Sequence, residues 1–256
     1  MLTVQNVYDM INARAPFEIQ DTYDNAGLLL GDPAAEVRGI HVAMDVNQRV
    51  IDEAEAAGAN LIVTHHPIMF SAIKQVVATQ YESRLMMRMI RGGISLIAAH
   101  TNLDQAPGGI NDVLARCIGL TDISGEAYIR IGTLPRPMTT QELADHISQA
   151  LNTVVRPMGL RENITRVALT SGGGSDSWKD ALALGAHAFL SGEIKHHHAL
   201  EAADSGMVCL EAGHHATEEP GIFALADALQ NELNAVQCNV HVSKSQAGAY
   251  ALPGRP

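Results

Sequence analysis

The sequence has few cysteines, few aromatic side chains and no long apolar run, and each shortage argues against a class of protein. Three cysteines among 256 residues, none in a CxxC pair, do not form a disulfide framework, and we expect them to be small buried residues. Aromatic residues make up 4% of the chain, which is too few for a platform that stacks single-stranded nucleic acid. No apolar stretch approaches the roughly 20 residues of a membrane span, and the N-terminus lacks signal-peptide features. We therefore expect a cytoplasmic protein without a membrane partner.

Basic residues are also scarce. The 17 Lys and Arg residues stand against 28 Asp and Glu residues, which gives a formal net charge of −11. Proteins that bind nucleic acid through its phosphates depend on Lys and Arg, so the charge argues against a nucleic-acid partner. Apolar residues make up 46% and charged residues 18% of the chain, which excludes a disordered protein.

Histidine is the abundant residue. Seven of the twelve histidines fall in three runs, His65–His66, His196–His198 and His214–His215. Histidine is the commonest metal ligand in proteins and the usual acid–base group near neutral pH. The composition therefore points to a metal site.

Short apolar runs alternate with helical patterns along most of the chain, as in Leu61–Val63 and Ile94–Ala99. This alternation predicts an α/β fold with two α/β domains whose sheets are mostly parallel or mixed. A soft boundary near residue 124 divides the chain into 1–124 and 125–256, with the second segment closing back onto the first. Thr79 with Glu82, and Thr139 with Glu142, have the spacing of capping boxes that begin helices.

Three polar segments follow predicted strands, and ligands collect at the carboxyl ends of strands in open α/β sheets. They supply three imidazoles and two carboxylates: His65, His66, Asp104, His214 and Glu218. Taken singly, each has an ordinary structural explanation, such as one buried and one exposed histidine, a loop cap at Asp104, or a helix-dipole contact at Glu218. Taken together, they predict two metal ions bridged by Glu218, although the spacing does not assign each histidine to a metal. Mixed imidazole and carboxylate ligands suit zinc, iron, manganese, cobalt or nickel rather than calcium or magnesium.

Four segments in order along the chain resemble the motifs of the Nif-three-like dinuclear metal protein family, whose members are often labelled GTP cyclohydrolase type 2 homologues. The segments are Tyr23–Asp32, Thr64–Pro67, Ala99–Asp104 and Gly213–Glu218. The resemblance implies that the five donors above are the metal ligands. It also implies two α/β domains, a toroidal homohexamer with the metal sites facing an internal cavity, and a hydrolysis that opens a purine-like ring. The chain is too short for the inserted third domain that some relatives carry.

Further residues are candidates for substrate contact. The family motif implies that Asp24 and Asn25 line the site, although a turn with side-chain-to-backbone bonds also explains them. Glu193 is expected to line the substrate cavity. We interpret His196–His198 as a surface or cavity-lining tract. Gly173 lies in a glycine-rich turn that either holds a phosphate through its amides, away from the metal ligands, or simply joins a strand to a helix.

The sequence thus predicts a dinuclear metal-dependent hydrolase acting on a small heterocyclic or amide-like substrate, nucleotides included. Glu218 would bridge the metals, and His100 or His215 would shuttle the proton. The alternative is a metal-binding regulatory or metal-handling protein without turnover.

Overall fold

A computed structural model describes residues 1–246. Its α-helices are α1 Val4–Arg14, α2 Gln48–Ala56, α3 Tyr81–Gly92, α4 Thr101–Gln105, α5 Ile110–Cys117, α6 Thr140–Ala150, α7 Trp178–Ala183, α8 His196–Asp204 and α9 His214–Ala235. Its strands are β1 Gly27–Leu30, β2 Gly39–Ala43, β3 Leu61–Thr64, β4 Ser95–Ala98, β5 Thr121–Ser124, β6 Arg130–Met138, β7 Arg156–Met158, β8 Ile164–Thr170, β9 Ala188–Ser191, β10 Val208–Glu211 and β11 His241–Lys244.

The chain forms two compact units. The first contains Met1–Ala106 and the described residues from Ile222 onward, and the second contains Pro107–Gly221. The second change of unit falls inside α9, and β11 pairs in parallel with β2, so the C-terminal segment belongs to the first sheet. The chain therefore crosses between the units twice, which differs from the predicted single boundary between residues 124 and 125. The last ten residues of the predicted second segment, 247–256, lie outside the described residues.

The first unit has a five-stranded sheet in the order β1-β4-β3-β2-β11. Only β1 runs antiparallel to its neighbour, and every residue of β2, β3 and β4 is buried. The sequences of such strands are continuous apolar runs because helices cover both faces of a parallel sheet. Ile51, Met89 and Leu96 are among the buried residues of its core.

The second unit has a six-stranded sheet in the order β5-β6-β8-β9-β10-β7. Strands β8, β9 and β10 are parallel, whereas β5, β6 and β7 pair antiparallel. Leu143 and Ile147 of α6 lie in one core cluster with Leu169 and Leu190 of the sheet. The predicted fold class, two α/β domains with mixed sheets, is confirmed, and residues 1–246 form no third unit.

Two local expectations had opposite outcomes. Thr139 caps α6 with the predicted box, in which its side chain accepts from the Glu142 amide and Glu142 accepts from the Thr139 amide. The corresponding prediction at Thr79 was wrong, because α3 begins one residue later, with Gln80 at the N-cap and no side-chain capping bond.

The expectation that all three cysteines are buried was also wrong. Cys209 on β10 is buried, but Cys117 at the end of α5 is exposed and Cys238 is half-buried. Burial raises the pKa of the Cys209 thiol to about 11, which keeps it protonated and unreactive. Among residues 1–246, the helices are all too short or too polar to span a bilayer.

Candidate metal centre

Three imidazoles meet at the carboxyl ends of β3 and β4. These strands are parallel neighbours, so His65 and His66 after β3 come to the same edge as His100 after β4. The ring centroids are 4.9 Å apart for His65 and His66, 5.1 Å for His65 and His100, and 5.5 Å for His66 and His100. Each ring offers a nitrogen within 4.8 Å of the others, a grouping that could hold a metal ion.

A tight turn explains how two adjacent histidines reach one edge. Successive side chains on a strand point to opposite faces, but the Thr64 hydroxyl donates to the His66 carbonyl 2.9 Å away. The chain therefore turns as β3 ends. The His65 side chain is fully buried, whereas that of His66 keeps 26% of its surface exposed.

Asp104 supplies a carboxylate to the same cluster. It lies on α4, whose N-cap is His100, and its Oδ1 is 3.4 Å from the Nε2 of His65. Asp104 is 7% exposed. A short helix, rather than the predicted loop, thus carries this donor back over the strand ends.

Each imidazole of the cluster has an acceptor at Nδ1. His65 Nδ1 lies 2.8 Å from the Ala99 carbonyl, His66 Nδ1 2.8 Å from Asp45, and His100 Nδ1 2.7 Å from Asp24. A carbonyl or carboxylate can only accept, so Nδ1 carries a proton in each ring, and a ring held this way would bind a metal through Nε2. Metal-ligating histidines are commonly held in this way by an outer acceptor.

Asp24 is fully occupied in this role. Its carboxylate accepts from His100 and also from the Asn25 amide at 2.7 Å, the Thr101 amide at 3.0 Å and the Thr101 hydroxyl at 2.5 Å. Burial alone would raise the pKa of Asp24, but the hydrogen bonds from His100 and Thr101 outweigh it and hold the pKa well below its usual range. Asn25 uses its side-chain amide to bind the Met69 carbonyl at 2.7 Å. Their contact with a substrate stays a prediction.

The second unit holds an imidazole–carboxylate pair at the start of α9. His214 Nε2 is 3.2 Å from Glu218 Oε2, one helical turn away. His214 Nδ1 lies 2.9 Å from Glu193 Oε1, which repeats the outer-acceptor arrangement of the first unit. Glu218 is only 4% exposed. Glu193, predicted to line a substrate cavity, is thus placed where it orients a metal-ligand candidate.

The glycine-rich turn lies against this pair, which corrects the expectation that it stands away from the metal ligands. Gly172 has φ +57°, and a Cβ built there would be 2.1 Å from Glu218 Oε1 and 3.1 Å from His214 Nε2. Only glycine tolerates both the left-handed backbone and the close approach. Its amide donates to the Thr217 hydroxyl at 3.0 Å.

The phosphate interpretation of the turn loses support from these contacts. The Ser171 amide donates to Asn111, and the amides of Ser175 and Ser177 bond to carbonyls of the turn itself. A Cβ on Gly173 would be 4.0 Å from the Glu193 carboxylate, whose negative charge opposes an anion. Gly173 as a substrate contact stays a prediction.

The remaining histidines lie apart from these donors. His215 Nε2 is 3.9 Å from Glu219. His196 and His197 are exposed on α8, as expected of a surface tract, while His198 bonds to Ser175 and Asp176. Among the described residues, neither His215 nor this tract belongs to a grouping of three metal-donor side chains.

The sequence reasoning missed Asp45 and Gly172. A usable signal existed for Asp45, because it follows β2, the strand paired in parallel with β3, and the strand-end rule applies to it equally. For Gly172 the backbone geometry carries the information, and a run of three glycines does not say which one faces a side chain.

Comparisons with known proteins agree with these observations. The family model described as Duf34/NIF3 (NGG1p interacting factor 3) matches residues 2–248. A "GTP cyclohydrolase 1 type 2 homolog" of Clostridium perfringens is 30% identical over 245 residues, covering 91% of this chain and 94% of its own. The Streptomyces coelicolor protein of the same description is 33% identical, covering 96% and 92%. The crystal structure of Staphylococcus aureus protein SA1388 matches with a TM-score of 0.91 at 28% identity, over 98% of both chains.

Proposed function

Because this chain belongs to the Duf34/NIF3 family, we propose that it is a cytoplasmic dinuclear metal-dependent hydrolase that opens a small heterocyclic or amide-like substrate. The curated relatives described as GTP cyclohydrolase 1 type 2 homologs make guanosine triphosphate the first substrate to test. The observation that carries the proposal is the shared arrangement of His65, His66, His100 and His214, each held at Nδ1 by an acceptor.

The residues proposed to hold two divalent transition-metal ions are His65, His66, Asp104, His214 and Glu218. The donor set fits such ions, since it combines neutral imidazole nitrogens with buried carboxylates. When bound, the ions act as Lewis acids on the electrophilic group of the substrate. The family resemblance also supports a homohexamer.

His100 is the proton carrier in this proposal. Its ring stands in the cluster, but Asp24 fixes the proton on Nδ1, so Nε2 accepts a proton and returns it to the leaving group. His215 is the second candidate for this step. Asp24, Asn25, Glu193 and Gly173 remain the proposed substrate contacts.

A turnover assay tests the proposal. Protein loaded separately with zinc, iron, manganese, cobalt or nickel is incubated with guanosine triphosphate, other nucleotides and cyclic amides, and ring opening is followed by absorbance. We expect turnover that depends on metal and falls by at least about 100-fold in His100→Gln, with metal content unchanged.

The control is His196→Gln, which removes an exposed imidazole of α8 and should leave turnover unaltered. Loss of metal in His100→Gln would instead make His100 a ligand. Metal-loaded protein that turns over none of these compounds would favour a metal-handling protein.

A further inference from the structure

We propose that Tyr23 and Phe70 form an aromatic clamp that binds a flat heterocyclic ring beside His100. The proposal rests on the proposed function, because it concerns how the substrate of that site is held. Both residues belong to the first unit. Neither is a metal-ligand candidate.

The exposure of these two rings is unusual for this chain. Aromatic residues are scarce, and in the described part of the chain three of them are exposed: Tyr23 at 62%, Phe70 at 52% and Tyr81 at 50%. Two of the three contact each other at the imidazole cluster. Single exposed apolar residues are common, but an adjacent pair at a donor cluster marks a binding surface.

The geometry places the pair beside His100. The ring centroids of Tyr23 and Phe70 are 6.2 Å apart, with the planes tilted by 54°. Phe70 also meets the His100 ring edge-on, at 6.2 Å and 80°. The Asn25 side-chain amide donates to the Met69 carbonyl, which joins the two segments that carry these rings.

A cavity continues from Phe70 away from the imidazoles. Its volume is about 670 Å³, and its lining includes Met69, Phe70, Ile73, Lys74 and Ser83. Cavities of roughly 300–1,000 Å³ hold ligands of nucleotide size. The charged residues among those that line it are Lys74 and Glu82, so an anionic group attached to the ring would lie on the Lys74 side of the cavity.

The ligand class that fits is therefore a flat heterocycle with an anionic substituent, such as a nucleoside monophosphate. Because the two planes are tilted by 54°, the heterocycle would stack on one ring of the pair and meet the other at an angle. Its reactive edge would face His100, and the phosphate would lie toward Lys74. Stacking of a base on an aromatic side chain contributes about 1–3 kcal/mol, which corresponds to roughly 5- to 150-fold in affinity.

Calorimetric titration of the metal-loaded full-length protein with guanosine 5′-monophosphate tests the clamp. Ribose 5-phosphate, which has no base to stack, is the control ligand, and Leu160→Ala, which removes an exposed apolar side chain of the second unit, is the control variant. We expect Phe70→Ala and Tyr23→Ala to weaken nucleotide binding at least about 5-fold, with metal content and oligomeric mass unchanged. Phe70→Tyr should restore binding, and ribose 5-phosphate should bind all variants equally weakly.

Three results would overturn the proposal. They are wild-type affinity for the nucleotide in both alanine variants, an equal loss in Leu160→Ala, and wild-type protein that binds the nucleotide no better than ribose 5-phosphate. A changed oligomeric mass with unchanged nucleotide affinity would show that the pair contacts another copy of the chain. Because binding is measured without turnover, a protein that binds the nucleotide but hydrolyses nothing would contradict the proposed function and leave the clamp standing.

Discussion

Glu193 holds the His214 ring from its Nδ1 side, while Glu218 faces Nε2. Replacing this carboxylate in Glu193→Gln leaves a neutral acceptor that polarises the imidazole less. We expect metal affinity, measured by competition with a chelator, to fall about 10- to 100-fold. If Glu193 only contacts the substrate, KM will rise while metal affinity stays the same.

Glu201→Gln is the matched control for this change. Glu201 is an exposed glutamate of the same unit, paired with Lys179 at 3.5 Å. Its replacement should alter neither the metal affinity nor KM. Equal metal affinity in wild type and Glu193→Gln would contradict the orienting role.

At the scale of residues, the sequence predicts the candidate metal ligands better than the acceptors that bond to their imidazoles. His65, His66, Asp104, His214 and Glu218 stand in short segments whose spacing can be read directly. The acceptors come from far along the chain, since Asp24 is 76 residues from His100 and Asp45 is 21 residues from His66. Only strand pairing brings such residues together, and a single sequence does not specify it.

At the scale of elements, the glycine-rich turn offers a test with a built-in control. Gly172→Ala places a methyl group 2.1 Å from Glu218 at a positive φ, whereas Gly173→Ala meets its nearest atom only at 4.0 Å. We expect Gly172→Ala to lose metal affinity and at least about 1 kcal/mol of unfolding free energy, with Gly173→Ala within about 1 kcal/mol of wild type. Chelator competition and urea unfolding measure the two effects. Similar behaviour of the two variants would contradict the close packing at Gly172.

The edge pair β2 and β11 predicts a pH dependence of stability. His41 on β2 is 2% exposed, with Nδ1 2.8 Å from Ser243 on β11 and Nε2 3.4 Å from Glu53 on α2. Burial lowers the pKa of His41 below its usual 6.5, although Glu53 opposes the shift. Below about pH 6.5 the unfolded chain therefore takes up a proton that the folded chain resists, and stability falls as the pH falls.

Urea unfolding between pH 8 and pH 5 tests this expectation. Arg49 pairs with the same Glu53 carboxylate at 3.2 Å. Wild type should lose more unfolding free energy on acidification than His41→Gln, while His196→Gln should follow wild type. Parallel curves for wild type and His41→Gln would contradict the role of His41.

The strands that sequence reasoning found and missed differ in composition. Strands β3 and β4 were readable because they are short, wholly buried apolar runs. Strands β6 and β7 contain prolines, and proline in a sequence usually indicates a loop. The structure places Pro157 on β7, the edge strand of its sheet, and Pro135 and Pro137 lie where the register between β6 and β8 shifts. Proline is tolerated at such places because no regular ladder bond is lost.

At the scale of the whole molecule, we expect a closed homohexamer. The family resemblance implies it, and exposed apolar side chains of the first unit, including Val76 and Ile90, supply surface that a symmetric assembly would cover. Light scattering coupled to gel filtration should give a mass near six times 27.3 kDa. A monomer at micromolar concentration would contradict this prediction.

The most direct test of the account is the metal content of the purified protein. Elemental analysis after gentle purification or reloading should give close to two transition-metal equivalents per chain, and Glu218→Ala should lose at least one. Its neighbour Glu219, whose side chain is 40% exposed, provides the control, since the Glu219→Ala variant should keep both metal equivalents. A wild-type protein that holds no metal and cannot be reloaded, or a Glu218→Ala variant that keeps two equivalents, would contradict the dinuclear centre.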